Sequence, residues 1–258
     1  MGAIAAAFRG ASGRAALMPY LMGGYPSVQE SLAVGHACAE AGADLVELGV
    51  PFSDPLADGP VVHAAGTAAL AAGATTQDVL EVGRALSERL PVVLMCYANL
   101  VLARGPERFA DDLASRGIAG LIVPDLPLEE GDGILAACDA AGVALVPLVA
   151  PTTGEERMAA IGARARGFVY AVSVTGTTGE RSSLADGVED VLRRAKAHTE
   201  VPVALGFGIG TPEQAAAAAA AGADGVIIGS RLVRAAGEGP DPAAAVGALV
   251  SSFARALG

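Results

Sequence analysis

The sequence predicts a single (β/α)8 barrel, and three observations lead to that fold. Short apolar runs recur along the chain, and a stretch of helical composition follows each one. The runs are continuously apolar, which is typical of parallel strands that are buried on both faces. The chain has 258 residues, a usual length for one barrel of this kind. We therefore expect one α/β domain spanning residues 1–258.

The strands can be placed in order along the chain. We predict eight, near Leu17–Met22, Leu45–Gly49, Val92–Tyr97, Gly120–Val123, Ala144–Val149, Phe168–Ser173, Val203–Gly206 and Gly225–Ile228. Their starts are spaced by roughly 20 to 35 residues, the length of a βα unit. The widest interval follows the second strand and predicts an extended loop with an extra helix. The segment Ala3–Phe8 predicts an N-terminal helix that closes the barrel floor.

Glycine and proline mark the helix ends. The strings AGAD (41–44), RGIAG (116–120), AGVA (141–144) and AGAD (221–224) each place a glycine between a predicted helix and the next strand. Glycine suits the left-handed position just past a helix end. The opposite signal is Thr211-Pro212, in which an N-cap residue precedes a proline in the first helical position.

Composition and charge exclude several function classes. The formal net charge of −11 repels phosphate backbones, so nucleic acid is not an expected partner. Cys38, Cys96 and Cys138 are odd in number and form no CxxC pair, which favours a reducing cytoplasmic location. The N-terminus does not resemble a signal peptide. The longest weakly polar run, Ala215–Ala223, is too short to span a bilayer, so we expect no membrane partner.

The loop after the second predicted strand carries the strongest candidate residues. Active sites of such barrels lie at the carboxyl ends of the strands, and Glu47, Asp54 and Asp58 all fall there. A carboxyl group that points into a barrel mouth is poorly solvated and acquires a raised pKa, which suits acid–base chemistry. Two alternatives stay open. Glu47 could face outward to pair with a helix, and both aspartates could be turn residues.

Glycines after the last two strands predict a phosphate site. Gly208 follows the seventh strand, and Gly229 and Ser230 follow the eighth, where a helix beginning at Ser230 would add its positive end. Taken singly, each glycine could equally well belong to a tight turn. Two glycine sites on adjacent final strands favour phosphate. The segment 174–183 after the sixth strand has the composition of a closing lid, although an ordinary loop could share it.

Residue usage also limits the mechanism. The chain has one lysine, Lys196, on a basic helical stretch, so a Schiff-base mechanism is not expected. The three histidines (His36, His63 and His198) are not spaced as metal ligands, so we predict neither a metal nor a cofactor. Carboxylates remain as the catalytic groups.

At these residues the sequence closely resembles the tryptophan synthase α-chain family. The longest matching motif is ELGVPFSDPLADGP at 47–60. Others follow in the expected order: PYLMGGYPS (19–27), LMCYANLV (94–101), VPDLPLEE (123–130), YAVSVTGTTG (170–179), GFGI (206–209) and GS (229–230). Together they cover essentially the whole chain.

The resemblance implies retro-aldol cleavage of indole-3-glycerol phosphate to indole and glyceraldehyde 3-phosphate, without a cofactor. It also implies a partner, the β chain, in an α2β2 heterotetramer. The resemblance implies acid–base catalysis for Glu47 and contact with the indole nitrogen for Asp58. It implies contacts in the pocket or lid for Tyr20, Tyr97, Tyr170 and Thr178, with Asp125 nearby. It implies phosphate binding for Gly179, Gly208, Gly229 and Ser230, and it places the loop around Asp54 at the partner interface.

The chain departs from the family pattern at a few positions. Met22 stands where many members have threonine, and His63 stands where glutamine is common. Neither departure affects the two carboxylates. Three rival functions remain at this point: a lyase that works without a β chain, a catalytically silent regulatory subunit, and another phosphate-binding barrel such as an isomerase.

Overall fold

The computed structural model describes residues 2–11, 13–172, 187–206 and 208–258. Within those ranges nine strands form one sheet. They are β1 (Ala16–Met22), β2 (Val46–Gly49), β3 (Val92–Met95), β4 (Gly120–Ile122), β5 (Ala144–Val146), β6 (Leu148–Val149), β7 (Val169–Val172), β8 (Val203–Gly206) and β9 (Gly225–Ile228). Neighbouring strands pair in parallel in the order β5-β4-β3-β2-β1-β9-β8-β7-β6. Because β5 and β6 are consecutive along the chain, the sheet closes into the predicted barrel.

The fifth predicted strand is the one that the structure corrects. Ala144–Val149 was expected to be continuous, but it is divided into β5 and β6 at Pro147. Proline has no backbone N–H to donate to a neighbouring strand. Accordingly, β5 pairs with β4 and β6 pairs with β7, so each half of this strand is paired on one side.

The strands bury both faces, as the apolar runs predicted. Side chains such as Leu17 and Leu48 pack in the layer between sheet and helices, whereas Met18 and Tyr20 pack inside the barrel. Side chains alternate across a strand. Because Val46 and Leu48 both belong to the helix-facing layer, Glu47 between them faces the barrel interior.

Helices surround the sheet. Those in the described ranges are α1 (Ala3–Gly10), α2 (Val28–Glu40), α3 (Pro60–Ala71), α4 (Thr76–Ser87), α5 (Ala98–Arg104), α6 (Pro106–Ser115), α7 (Asp132–Ala141), α8 (Glu155–Arg164), α9 (Val188–Ala197), α10 (Pro212–Ala220), α11 (Ser230–Gly237) and α12 (Pro242–Leu257), with a 3-10 turn at Leu128–Glu130. The extra helix predicted after the second strand is α3. None of these helices is both long and apolar enough to cross a bilayer.

The predicted helix ends are confirmed. Gly42, Gly117, Gly142 and Gly222 all have positive φ angles, between 72° and 100°. The Thr211 side chain accepts a hydrogen bond from the backbone N–H of Gln214, whose side chain in turn contacts the Thr211 backbone. This reciprocal pair is a capping box, which satisfies two otherwise unpaired donors at the start of α10.

Helix α1 lies at the amino-terminal end of the barrel, as expected. Ile4 is buried there, and the Phe8 ring lies 5.8 Å from that of Phe168. At the same end Arg14 forms a 2.7 Å ion pair with Asp44, which also accepts a hydrogen bond from the Leu17 N–H. The Arg14–Asp44 ion pair therefore stabilises this end of the barrel. The candidate residues lie at the opposite end.

Candidate active site

Glu47 lies inside the carboxyl-terminal mouth of the barrel. It is only 1% exposed, and neither carboxyl oxygen has a hydrogen-bond partner among the described residues. Burial, and secondarily the charge of Asp58, raise the pKa of Glu47 to about 8. At neutral pH the group is therefore mainly a carboxylic acid that can give a proton to a bound molecule. The outward-facing alternative for Glu47 is excluded by its strand register.

Asp58 has a different environment from Glu47. The Tyr97 hydroxyl donates to Asp58 Oδ1 at 2.9 Å, and the same hydroxyl accepts from the Ala57 N–H at 3.0 Å. Burial raises the pKa of Asp58, while the hydrogen bond from Tyr97 and the nearby His63 act to lower it. A carboxyl group held in this way remains the more acidic of the pair. The site therefore combines a proton-bearing acid with a neighbouring anion.

Two tyrosine rings line the interior beside these carboxyl groups. Tyr20 pairs in strand register with Glu47, and Tyr170 lies on β7. Burial is the main cause that raises the pKa of each hydroxyl, and the charge of Glu47 raises both further. Both phenol groups therefore stay protonated at neutral pH.

Each tyrosine lies against a glycine on the neighbouring strand, a feature that the sequence analysis missed. A Cβ atom at Gly49 would lie 2.2 Å from the Tyr20 hydroxyl oxygen, and one at Gly206 would lie 2.3 Å from that of Tyr170. Neither position tolerates a side chain while the rings keep their places. The available signal was a glycine inside an apolar strand, which often marks a close approach.

The pocket wall beyond Asp58 is aromatic. The Phe52 and Tyr97 rings stack with centroids 5.2 Å apart. Asp125 accepts a hydrogen bond from the Ala98 N–H at 2.8 Å, at the first residue of α5. It thereby anchors the helix that begins next to Tyr97. These contacts hold a flat apolar surface beside the two carboxyl groups.

The predicted phosphate residues lie together with a helix start. Gly229 caps α11, Ser230 is its first residue, and the first turn of that helix has no acidic side chain. Gly208 has a φ angle of 80°, a conformation that favours glycine. A helix amino terminus attracts anions through its free N–H groups and its dipole. The other two predicted residues of this region, Thr178 and Gly179, lie outside the described residues.

The remaining candidates lie farther out. Asp54 is exposed and accepts a hydrogen bond from the Ser53 hydroxyl at 2.6 Å, and Leu56 in the same loop is 77% exposed. His63 is exposed on α3, as expected of a surface helical residue, although it influences the pKa of Asp58. Met22 is buried within the barrel.

The opposite end of the barrel has a cleft of about 1490 Å³, whose lining residues Arg14 and Arg166 form ion pairs with Asp44 and Asp139. Lys196 lies there and contacts Asp224 at 2.7 Å, far from the mouth. Within the described residues no three histidine, cysteine or acidic side chains gather as metal ligands would. The unpartnered carboxyl group of Glu47 and the neighbouring Asp58 converge at the mouth, which is therefore the candidate site.

The chain was compared with known families and sequences. The family model for the tryptophan synthase alpha chain matches residues 7–255. The tryptophan synthase alpha chain of Prochlorococcus marinus (strain MIT 9313) is 50% identical over 87% of this chain and 82% of that protein. The one from Synechocystis sp. (strain ATCC 27184 / PCC 6803 / Kazusa) is 45% identical over 93% and 92% of the two chains.

Solved structures agree with these sequence matches. A tryptophan synthase structure from Mycobacterium tuberculosis superposes with a TM-score of 0.92 at 41% identity, over 99% of this chain and 98% of that one. A chain of the tryptophan synthase a2b2 complex from Pyrococcus furiosus gives a TM-score of 0.87 at 33% identity, over 93% and 98%. The similarity therefore extends over sequence and fold alike.

Proposed function

Because the chain belongs to the tryptophan synthase alpha chain family, whose members are indole-3-glycerol-phosphate lyases of tryptophan biosynthesis, we propose that Glu47 carries out its proton transfers and that Asp58 stabilises the charge that forms on the ring. The observation that supports this assignment is the contrast between the two groups. Glu47 is a buried acid without a partner, whereas Asp58 is a hydrogen-bonded anion. Cleavage of this substrate requires both kinds of group.

Glu47 acts first as an acid. The carbon–carbon bond to the indole ring breaks only after C3 of the ring is protonated, and a neutral carboxyl group can supply that proton. The resulting carboxylate then takes the proton of the side-chain hydroxyl as the aldehyde forms. The bonding electron pair returns to the ring and releases indole. Each positioned proton transfer contributes about 10²- to 10⁴-fold to the rate.

Asp58 stabilises the charge that appears in between. Protonation at C3 places positive charge on the ring nitrogen, and an anion that accepts the N–H hydrogen bond lowers the energy of that state. The Tyr97 hydroxyl orients this carboxylate by donating to one of its oxygens. The stacked Phe52 and Tyr97 rings offer a surface for the flat indole.

The phosphate group occupies the start of α11. Gly208, Gly229 and Ser230 supply the site, and Gly179 of the predicted lid would complete it. Binding energy gained at the phosphate positions the reacting carbon at Glu47, which lowers the entropy cost of reaching the transition state. Since the two sites lie on different strands of one barrel, their separation is set by the rigid sheet.

The partner and the location are inferred in the same way. The loop of Asp54 and Leu56 is exposed beside the mouth, and we propose that a β chain binds it to form an α2β2 complex. The Pyrococcus furiosus relative is described as an a2b2 complex, which supports this proposal. The three described cysteines are free and buried, which is consistent with a reducing cytoplasm.

The assignment is tested by two isosteric substitutions. Glu47→Gln should lower turnover of indole-3-glycerol phosphate at least 100-fold, because the amide cannot exchange the proton. Asp58→Asn should lower it by a similar factor, because the ring charge is no longer balanced. The assay is indole release by the purified chain with and without a β chain.

Glu107→Gln, at an exposed position on α6, makes the same chemical change away from the site and should cleave normally. Circular dichroism should show all three variants folded. Turnover of Glu47→Gln above a tenth of the wild-type rate would remove Glu47 from the acid–base role. If Asp58→Asn changed only KM, the charge-stabilising role would be wrong.

A further inference from the structure

Tyr20 occupies the stretch of wall between the two parts of the site. Strand β1 lies between β2 and β9 in the sheet. Tyr20 is in register with Glu47 on one side, and on the other side its Cβ atom would lie 3.7 Å from a Cβ atom at Gly229. The proposed function places the reacting carbon at Glu47 and the phosphate at Gly229. The three-carbon chain that joins them must therefore cross Tyr20.

The Tyr20 hydroxyl is held at a defined place on this path. The ring is buried inside the barrel, and its hydroxyl oxygen occupies the space that a side chain at Gly49 would need, 2.2 Å from the Cβ position. Gly49 follows Glu47 by two residues on the same strand, so both positions face the interior. The hydroxyl therefore lies just above Glu47, towards the mouth.

Tyr20 is only 7% exposed, so its hydroxyl lies in a poorly solvated part of the site. Buried hydroxyl groups are nearly always hydrogen-bonded, because an unmade bond in a poorly solvated place costs free energy. Burial first, and then the charges of Asp58, Glu47 and Tyr97, raise the pKa of Tyr20, so the oxygen keeps its proton. A protonated and rigidly placed hydroxyl beside Glu47 is suited to donate to a ligand.

We propose that the Tyr20 hydroxyl donates a hydrogen bond to the substrate oxygen that becomes the aldehyde oxygen, and so acts as a further catalytic residue. When Glu47 removes the proton from that oxygen, negative charge develops on it until the carbon–oxygen double bond forms. The carbon–carbon bond breaks at the same time, and its electron pair neutralises the ring nitrogen. A donor that is fixed before the reaction stabilises this charge most effectively. The inference rests on the assigned roles of Glu47 and Gly229.

Tyr20→Phe tests the proposal, because it removes the hydroxyl and keeps the ring. We expect kcat for indole-3-glycerol phosphate to fall about 10- to 100-fold, with KM changed less than about threefold, since the hydrogen bond strengthens in the transition state. Indole-3-propanol phosphate, which lacks the chain hydroxyls, should bind wild type and variant equally in calorimetric titrations. Tyr25→Phe is the matched control, because the Tyr25 hydroxyl also lies against a glycine, but that glycine is Gly237 at the end of α11 and not one in the barrel sheet. It should leave kcat unchanged.

Turnover of Tyr20→Phe within twofold of wild type would overturn the proposal. So would an equal loss of affinity for indole-3-propanol phosphate, because the hydroxyl would then serve general pocket shape. Glu47→Gln, measured in the same series, separates this failure from that of the proposed function. If Glu47→Gln is inactive while Tyr20→Phe is fully active, only the role of Tyr20 is wrong. If Glu47→Gln is active, both proposals fail.

Discussion

At the scale of single residues, one buried carboxyl group sets the chemistry. Glu47 is enclosed by apolar strands, and neither oxygen has a partner among the described residues. A buried carboxylate without partners is costly, so the group keeps its proton up to about pH 8. The folded state therefore holds a proton that the unfolded chain, in which this group has its ordinary pKa of 4.5, would release.

This difference makes stability depend on pH in a predictable direction. The folded-state pKa of Glu47 is raised, so its contribution to the free energy of unfolding is fully present below about pH 4.5 and is lost as pH rises to about 8. Glu47→Gln lacks this loss. Relative to wild type, the variant should gain up to about 4 kcal/mol between pH 4.5 and pH 9. Urea unfolding of both proteins across that range measures the gain.

Glu107→Gln again supplies the comparison, since that carboxyl group is exposed. As a surface substitution it should stay within about 0.5 kcal/mol of wild type. A difference between Glu47→Gln and wild type that is constant with pH would mean that Glu47 titrates normally in the folded protein.

At the scale of elements, the neighbouring strands are fitted to each other by tyrosine and glycine. Tyr20 on β1 lies against Gly49 on β2, and Tyr170 on β7 lies against Gly206 on β8. In each pair the glycine has no side chain, and the tyrosine ring from the neighbouring strand fills the space that a side chain would occupy. Two phenol groups are thereby brought into the barrel interior beside the carboxyl group of Glu47.

Gly49→Ala should disturb the first pair. The new methyl group would lie 2.2 Å from the Tyr20 oxygen and 2.7 Å from its ring, so the ring must move within a packed interior. We expect a loss of about 1 to 3 kcal/mol of stability and at least a tenfold loss of turnover. Thermal unfolding and indole release measure the two effects.

The matched change is Gly133→Ala on α7, where a Cβ atom would meet nothing within 4 Å. It should leave turnover unchanged and raise stability by up to about 1 kcal/mol, since alanine favours the helix. If Gly49→Ala behaved like Gly133→Ala in both assays, the close contact with Tyr20 would not exist in solution.

Sequence reasoning succeeded for elements whose signals are local. Apolar runs located the strands, and Gly42 or Thr211 marked helix ends because their chemistry is needed there. The direction of Glu47 stayed open, because it depends on which face of β2 packs against helices. The hydrogen bond from Tyr97 to Asp58 joins residues 39 positions apart, so no local pattern reveals it. Pro147 was a readable signal for the divided strand and was overlooked.

At the scale of the whole molecule, one closed sheet organises the site. Its strands meet in a ring, and every assigned group within the described residues lies at the same end or on the loops that leave it. We infer from the single sheet that residues 1–258 act as one domain. The eightfold repeat predicted this arrangement. The packing of α1 at the floor was also anticipated, because the segment precedes the first strand.

Assembly with a second chain is the prediction at this scale. Leu56 is 77% exposed, and a leucine that protrudes from a loop beside Asp54 is suited to fill a pocket on a partner. Leu56→Asp should weaken binding to a β chain at least tenfold, because it places a charge in an apolar contact. Titration calorimetry and gel filtration of the mixed chains measure the change.

Ala6→Asp makes a comparable change at an exposed position on α1, at the other end of the barrel, and should bind the β chain normally. If Leu56→Asp bound as tightly as wild type, the partner surface would lie elsewhere. If the wild-type chain formed no complex, the chain would instead be a lyase that works alone.

The protonated state of Glu47 also affects the electrostatic repulsion between the protein and its incoming substrate. The chain carries a formal charge of −11, and its substrate is a phosphate monoester that is itself anionic. Each further negative charge at the entrance opposes the encounter over about 8 Å at physiological ionic strength. Because Glu47 keeps its proton until cleavage begins, it carries no charge that would repel the incoming phosphate ester. In alkaline solution Glu47 is ionised, and this repulsion is added.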